Sequence, residues 1–258
     1  MQKLRSAEEI EILRENNLLV SKTLAEIAKM IEPGVTTAAL DKRAEEYIRD
    51  HDAVPGFLGY GGFPNSLCTS VNDAVVHGIP SEYELKEGDI ISIDCGTYKN
   101  GFYGDTAYTF AVGEINGEVK KLLKATREAL FKGIEKAMAG NRVGDISFAV
   151  QTHAEDAGFS VVREMVGHGL GSNMHESPEV PNYGKRGKGP KLKSGMVICI
   201  EPMINMGTRN IKQDSDGWTI RTMDNKPSAH YELALAIRNG EADILSTFEY
   251  IENQLTQN

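Results

Sequence analysis

Leu85-Lys86-Glu87-Gly88-Asp89-Ile90-Ile91-Ser92-Ile93-Asp94 and Leu192-Lys193-Ser194-Gly195-Met196-Val197-Ile198-Cys199-Ile200-Glu201 follow one pattern. Leu, Lys, Gly and the apolar positions coincide, and each copy closes on a carboxylate. Glycine ahead of a β-branched run reads as a turn that feeds a strand. Two unrelated turn-and-strand segments would share that outline, but matching chemistry at both ends favours duplication. The flanks agree. Ser6 and Glu9 form a capping-box pattern ahead of Ile10, Leu13, Leu24, Ile27 and Ile31, and Pro33-Gly34 stops that helix. A second helix follows Thr36-Thr37 with Leu40, Ala44, Tyr47 and Ile48 on one side. Strands are expected at Leu67–Val71 and Ile90–Asp94, and Lys99-Asn100-Gly101 turns the chain into Phe102–Val112. The order then restarts. Asn116 opens a helix ended by Gly140, Asp145 caps another running to Ala157-Gly158, and strands follow at Ser160–Arg163, Met196–Glu201 and Ala229–Ile237. The pattern predicts one α+β domain over residues 1–258, with halves of about 1–112 and 116–258 and a site on the quasi-dyad.

The 258 residues suffice for a full core without disulfide staples. Lys and Arg number 28 against 37 Asp and Glu, a net charge of −9 that argues against a general nucleic-acid or DNA binder. The longest apolar runs, such as Leu233–Ile237, are far shorter than the roughly 20 residues of a membrane span. The N-terminus leads into Glu8, Glu9 and Glu11, not an apolar signal core. Cys68, Cys95 and Cys199 are scattered and odd in number, so reduced thiols in the cytoplasm are expected.

Five side chains are ones that a bland core strand would not choose. Asp94 ends an apolar strand, and Asp105 lies across the hairpin from it. Glu201 ends the repeated strand, and Glu232 interrupts the last one. His168 sits in Gly167-His168-Gly169-Leu170-Gly171. Each alone reads equally well as an edge residue facing water. Isolated buried carboxylates cost several kcal/mol, and the nearby strands supply no arginine. As a set, these oxygen donors with one nitrogen therefore suit two divalent ions. His77 in Val76-His77-Gly78-Ile79-Pro80 and His175, seven residues after His168, lie in loops that could overhang the metals. His51 and His153 read as ordinary helix residues. His230 shares a strand face with Glu232 and could support the ligands from behind.

This set, with Pro64–Asn72, Gly104-Asp105-Thr106, Ile200-Glu201-Pro202-Met203 and Gly217-Trp218-Thr219, resembles the type I methionine aminopeptidases of the pita-bread family from about Ile10 to Ile237. The spacing between His168 and Glu201 leaves no room for the insertion of type II enzymes, and the short bacterial form is expected. The resemblance implies a pita-bread fold and removal of the N-terminal methionine from nascent proteins with a small second residue. It implies that Asp94 chelates one metal, that Asp105 and Glu232 bridge both, and that His168 and Glu201 complete the second. A hydroxide between the ions would attack the first peptide bond while Glu201 shuttles the proton. His175 would stabilise the oxyanion, and His77 would contact the scissile amide. By match, the methionine pocket would be lined by Phe57, Tyr60, Phe63, Cys68, Met174 and Trp218, although plain core packing is an equal reading for Phe57 and Phe63.

Three positions depart from the family's pattern: Gly61 for a histidine, Met174 for a phenylalanine, and His230-Tyr231-Glu232-Leu233-Ala234 for Gln-x-Glu-His-Thr. The competing readings are an Xaa-Pro aminopeptidase or prolidase and a non-catalytic pita-bread binding protein. The native metal (Mn, Fe, Co or Zn) is left open. A monomer is expected. Lys185-Arg186-Gly187-Lys188-Gly189-Pro190-Lys191-Leu192-Lys193 reads as a solvated basic loop or as a docking element for the ribosome.

Overall fold

The computed structural model describes residues 3–256; Met1, Gln2 and the last two residues, part of the 1–258 span expected above, lie outside the described residues. Helix α1 (Ala7–Ala28) starts where its capping box predicts. The Ser6 hydroxyl accepts from Glu9 N–H, and the Glu9 carboxylate accepts from Ser6 N–H at 2.8 Å. Its inward face carries Ile10, Leu13, Val20, Leu24 and Ile27, all without solvent exposure. Helix α2 (Thr37–Asp50) is capped by the Thr36 hydroxyl and buries Leu40, Ala44 and Ile48. Helices α3 (Gly117–Ile134) and α4 (Val143–Asp156) repeat that pair, and a short α5 (Glu249–Leu255) follows the last strand. Burying each such Leu or Ile contributes about 1.5–3 kcal/mol, so these helix faces are the main force that seats helices on sheets.

The two quoted stretches fold alike. Gly88 and Gly195 both take φ +89°, a conformation open to glycine at no steric cost. Asp89 N–H donates to the Lys86 carbonyl at 3.0 Å, and Met196 N–H donates to that of Lys193 at 3.1 Å. Gly88 N–H reaches the Val112 carbonyl, as Gly195 N–H reaches that of Ile237. An isolated bridge joins Thr36 to Glu84 ahead of α2, and another joins Arg142 to Lys191 ahead of α4.

All strand pairings are antiparallel. In one sheet Ile90–Lys99 lies between Leu67–Val71 and Phe102–Ala111, with Val54–Pro55 at its end. A second sheet runs Ala242–Ile244, Leu233–Ile237, Val197–Ile200, Gly167–Gly169, Glu176–Val180. Two three-stranded sheets complete the fold. One places Met203–Asn205 between Ser160–Val161 and Ser228–His230, and the other places Ile220–Thr222 between Ile211–Gln213 and Ala74–Val76.

Several boundaries differ from expectation, each for a local reason. Asp94 does not end its strand, because the ladder with Phe102–Ala111 continues to Lys99↔Phe102. Asn100 (φ +53°) and Gly101 (φ +83°) then form a two-residue turn of the primed kind that matches strand twist. The expected strand Ala229–Ile237 is two strands in different sheets, because Glu232 N–H leaves both ladders and donates to the Ala107 carbonyl at 2.9 Å. Likewise Ser160–Arg163 and Met196–Glu201 shorten to Ser160–Val161 and Val197–Ile200. Helix α3 stops at Ile134 and not at Gly140, where Lys136 and Ala137 wind the chain out through tighter bonds to Gly133 and Ile134. Asp145 is the third residue of α4 and not its cap. The chain is held extended at Arg142, and the Asp145 carboxylate accepts Arg142 N–H at 2.8 Å.

Candidate metal centre

The sheets meet around a cavity of about 280 Å³ whose floor is acidic and whose walls are apolar. Asp94 faces Ala107 across the hairpin and Asp105 faces Gly96, so the two carboxylates are diagonal neighbours on one face. Helix α1 fixes this hairpin: Asp105 N–H donates to Asn17 Oδ1 at 3.0 Å, and Asn16 Nδ2 donates to the carbonyls of Lys99 and Phe102. Glu232 sits in the crossing between two sheets at 1% exposure, and Glu201 lies one residue beyond Val197–Ile200. His168 Nδ1 lies 3.0 Å from the Gly169 carbonyl and donates to it, leaving Nε2 to face the carboxylates with its lone pair.

Burial, then the charges of Glu232, Asp94 and Glu201, pushes the Asp105 carboxyl well above the usual range. Glu201 is raised by burial and then by Asp94, and Glu232 by burial and then by Glu201 and Asp94. Burial also raises Asp94. The imidazoles go the other way: burial and then His175 pull His168 down to about 3, and burial, His230 and His175 pull His77 down to about 4. Carboxylates crowded this closely cannot all ionise without a cation among them, and neutral imidazoles keep a lone pair for it.

The donor atoms themselves fit a metal. Asp94 Oδ1, Asp105 Oδ1 and Glu232 Oε1 are buried without a hydrogen-bond partner among the described residues. Buried polar atoms are normally paired, so these three await a ligand. His168 Nε2 stands 3.6 Å from Asp105 Oδ2 and 3.5 Å from Glu201 Oε1. Both are too long for hydrogen bonds, yet two donors sharing one ion at about 2.0–2.2 Å in a tetrahedron stand roughly 3.3–3.6 Å apart. Ligand atoms of Asp105, His168, Cys199 and Glu232 lie within 4.8 Å of one another, as do those of Glu201, His230 and Glu232.

The structure brings Asp94, Asp105, His168, Glu201 and Glu232 to the cavity floor, with His77 and His175 above. His77 adopts φ +59°, a left-handed conformation uncommon for a residue with a side chain. Phe57, Tyr60, Phe63, Cys68 and Trp218 line the wall, and Trp218 meets Phe63 edge-on at 5.2 Å between centroids. Met174 does not line it. That side chain is fully buried behind the wall, where its methyl packs at the backbone of Gly56 and Gly96. Sequence reasoning missed Val76, Met165, Val166 and Met203 on the wall. Val166 stands two residues from His168, so strand alternation was the available signal. It also missed that the Tyr60 hydroxyl lies 2.8 Å from His175 Nδ1. Nothing in the sequence signals that contact.

Helices packed on antiparallel sheets around a carboxylate-rich donor cluster define a pita-bread metallopeptidase. The chain belongs to metallopeptidase family M24, whose pattern matches residues 11–238. It is similar to the methionine aminopeptidase of Clostridium acetobutylicum, at 52% identity over 247 residues covering 95% of this chain and 99% of that one. The crystal structure of methionine aminopeptidase from Rickettsia prowazekii superimposes with a TM-score of 0.94 at 39% identity, covering 96% of this chain and 100% of that one. A prolidase from Pyrococcus furiosus shares the fold alone, with a TM-score of 0.77 at 21% identity over 95% of this chain and 65% of that one.

Proposed function

We propose that the protein is a metal-dependent aminopeptidase that removes the N-terminal methionine from nascent polypeptides whose second residue is small. The observation that carries this reading is the joining of buried, unpartnered carboxylate oxygens to an apolar cavity with two overhanging histidines. Asp94, Asp105, His168, Glu201 and Glu232 would hold two divalent ions. Ions bound there supply a water acidified enough to be a nucleophile near neutral pH.

The chain's own groups do the rest. Glu201 takes the proton of the attacking water and passes it to the departing amine. The Tyr60 hydroxyl donates to His175 Nδ1, so His175 presents its Nε2–H to the carbonyl oxygen as negative charge develops. His77 contacts the scissile amide nitrogen. Phe57, Tyr60, Phe63, Cys68 and Trp218 enclose the methionine side chain, a surface suited to a polarisable thioether. The duplication into halves of about 1–112 and 116–258, in one domain, belongs to the same reading and is supported by the matched turns at Gly88 and Gly195.

No helix among the described residues is long and apolar enough to cross a membrane. A cytoplasmic monomer acting on emerging chains accords with this reading. The exposed basic loop of residues 185–193, where the Arg186 guanidinium lies over Phe148 at 4.6 Å, would dock on ribosomal phosphates. Ribosome co-sedimentation that survives neutralisation of these charges would refute the docking. For the activity itself, the metal-loaded protein is expected to release methionine from Met-Ala-Ser and to leave Xaa-Pro peptides intact, with Glu201→Ala inactive. Preferential Xaa-Pro cleavage, or equal turnover by the Glu201→Ala variant, would overturn the assignment.

A further inference from the structure

We propose that His230 is a sixth metal donor, giving the centre a second imidazole through a set formed by Glu201, His230 and Glu232. This rests on the metal-centre reading above. His230 closes the strand Ser228–His230 and is held at both backbone groups by one side chain. Its N–H donates to Thr109 Oγ1 at 2.9 Å, and its carbonyl accepts from the same hydroxyl at 2.7 Å. So anchored, the ring is 1% exposed and its Nε2 has no hydrogen-bond partner among the described residues. An imidazole nitrogen left bare in the interior is a cost that the fold would otherwise avoid.

The nitrogen that it bares faces the centre. His230 Nε2 stands 3.6 Å from Glu201 Oε2, and one donor atom each from Glu201, His230 and Glu232 lie within 4.8 Å of one another. A 3.6 Å gap is too long for a hydrogen bond to the carboxylate. It equals the gap from His168 Nε2 to Asp105, and lies within 0.1 Å of that to Glu201. The Glu201 carboxylate is thus flanked by two imidazoles at the same spacing, His168 on Oε1 and His230 on Oε2. The spacing that suits His168 to an ion is repeated at His230. A second nitrogen donor biases an otherwise oxygen-rich set toward zinc, iron or cobalt and away from magnesium and calcium.

Long-range proton–nitrogen NMR of the 15N-labelled protein, recorded before and after addition of Zn²⁺, tests this directly. His168 and His230 are each assigned by substitution. Side-chain nitrogens of both rings are expected to move to metal-bound shifts, and in His230→Gln only those of His168 should move. Movement of His168 with His230 unchanged would overturn the proposal while leaving the metal centre intact. If neither moves, the metal centre itself fails. Chelator competition gives a second readout: His230→Gln should loosen zinc by more than the roughly 10- to 100-fold that loss of a group behind a ligand costs, and His153→Gln, a change in α4, should not. Equal affinity of His230→Gln and the unaltered protein would also overturn the proposal.

Discussion

The Tyr60 hydroxyl lies 2.8 Å from His175 Nδ1, and a hydroxyl that donates there leaves the ring proton on Nε2; this contact sets the first expectation at the scale of single residues. His175→Ala removes the proposed oxyanion donor and should lower kcat by about 10²–10³. Tyr60→Phe removes only the group that fixes the tautomer, so kcat should fall about two- to tenfold, the worth of one hydrogen bond. Steady-state kinetics on a Met-Ala peptide checks both, and an unchanged kcat in Tyr60→Phe would dismiss the tautomer argument. At this scale the ligand types were legible, because carboxylates on apolar strands without cationic partners have few other uses. Side-chain direction was harder to read. Met174 and His175 lie in the bend just before the strand Glu176–Val180, where no alternation tells which way a side chain turns. His230 looked like a supporting group because its bare nitrogen exists only after two sheets have met.

Helix α1 illustrates what an element contributes. Its Asn16 and Asn17 grip the hairpin that carries Asp94 and Asp105, and the segment before it straps the loop that carries His175. Arg5 Nη2 pairs with Glu176 at 2.5 Å with both side chains nearly buried, and Lys3 joins at 3.0 Å. Gly171, beside the Arg5 guanidinium, accepts Tyr103 N–H at 2.8 Å. Arg5→Ala leaves the Glu176 carboxylate next to His175 with Lys3 as its remaining cation and should cost about 1.5–3 kcal/mol, the worth of a hydrogen bond to a charged group, with a loss of kcat as the loop shifts. Ser6→Ala breaks the capping box and should cost about 1 kcal/mol without touching kcat. Urea denaturation and kinetics on the two variants separate the strap from the cap. Helix starts were readable because caps are local chemistry, as Ser6, Thr36 and Asn116 show. Strand ends were not. The length of Ile90–Lys99 depends on its partner across the turn, and the break at Glu232 depends on a carbonyl 125 residues earlier in the chain, at Ala107.

For the molecule as a whole, the cluster couples folding, protons and metal. Asp105, Glu201 and Glu232 hold protons more tightly folded than unfolded. In the metal-free protein their contribution is full below their unfolded values near pH 4 and is lost as pH rises through the elevated folded ones. His77 and His168 act oppositely: their contribution is present above their ordinary value of 6.5 and is lost as pH falls toward about 4 and about 3. In the metal-free protein the raised carboxyls should therefore give Tm a downward slope as pH rises above the ordinary carboxylate range, opposed below 6.5 by the two histidines. A divalent ion should abolish that slope and release protons on binding at neutral pH. Calorimetry in buffers of different ionisation heat measures the release, and its absence would contradict the clustering of raised carboxylates. The duplicated pattern made this architecture legible from the outset, since the turns at Gly88 and Gly195 are written into the sequence. The three cysteines lie buried against the same acidic floor, and burial followed by nearby carboxylates pushes each thiol well above its ordinary value. Cys95 and Cys199, unlike the cavity-lining Cys68, make a stopwatch: a disulfide reagent can colour the solution through them only when the chain breathes open. The pace of that colour, slowed by whatever braces the floor, times how often the interior meets water.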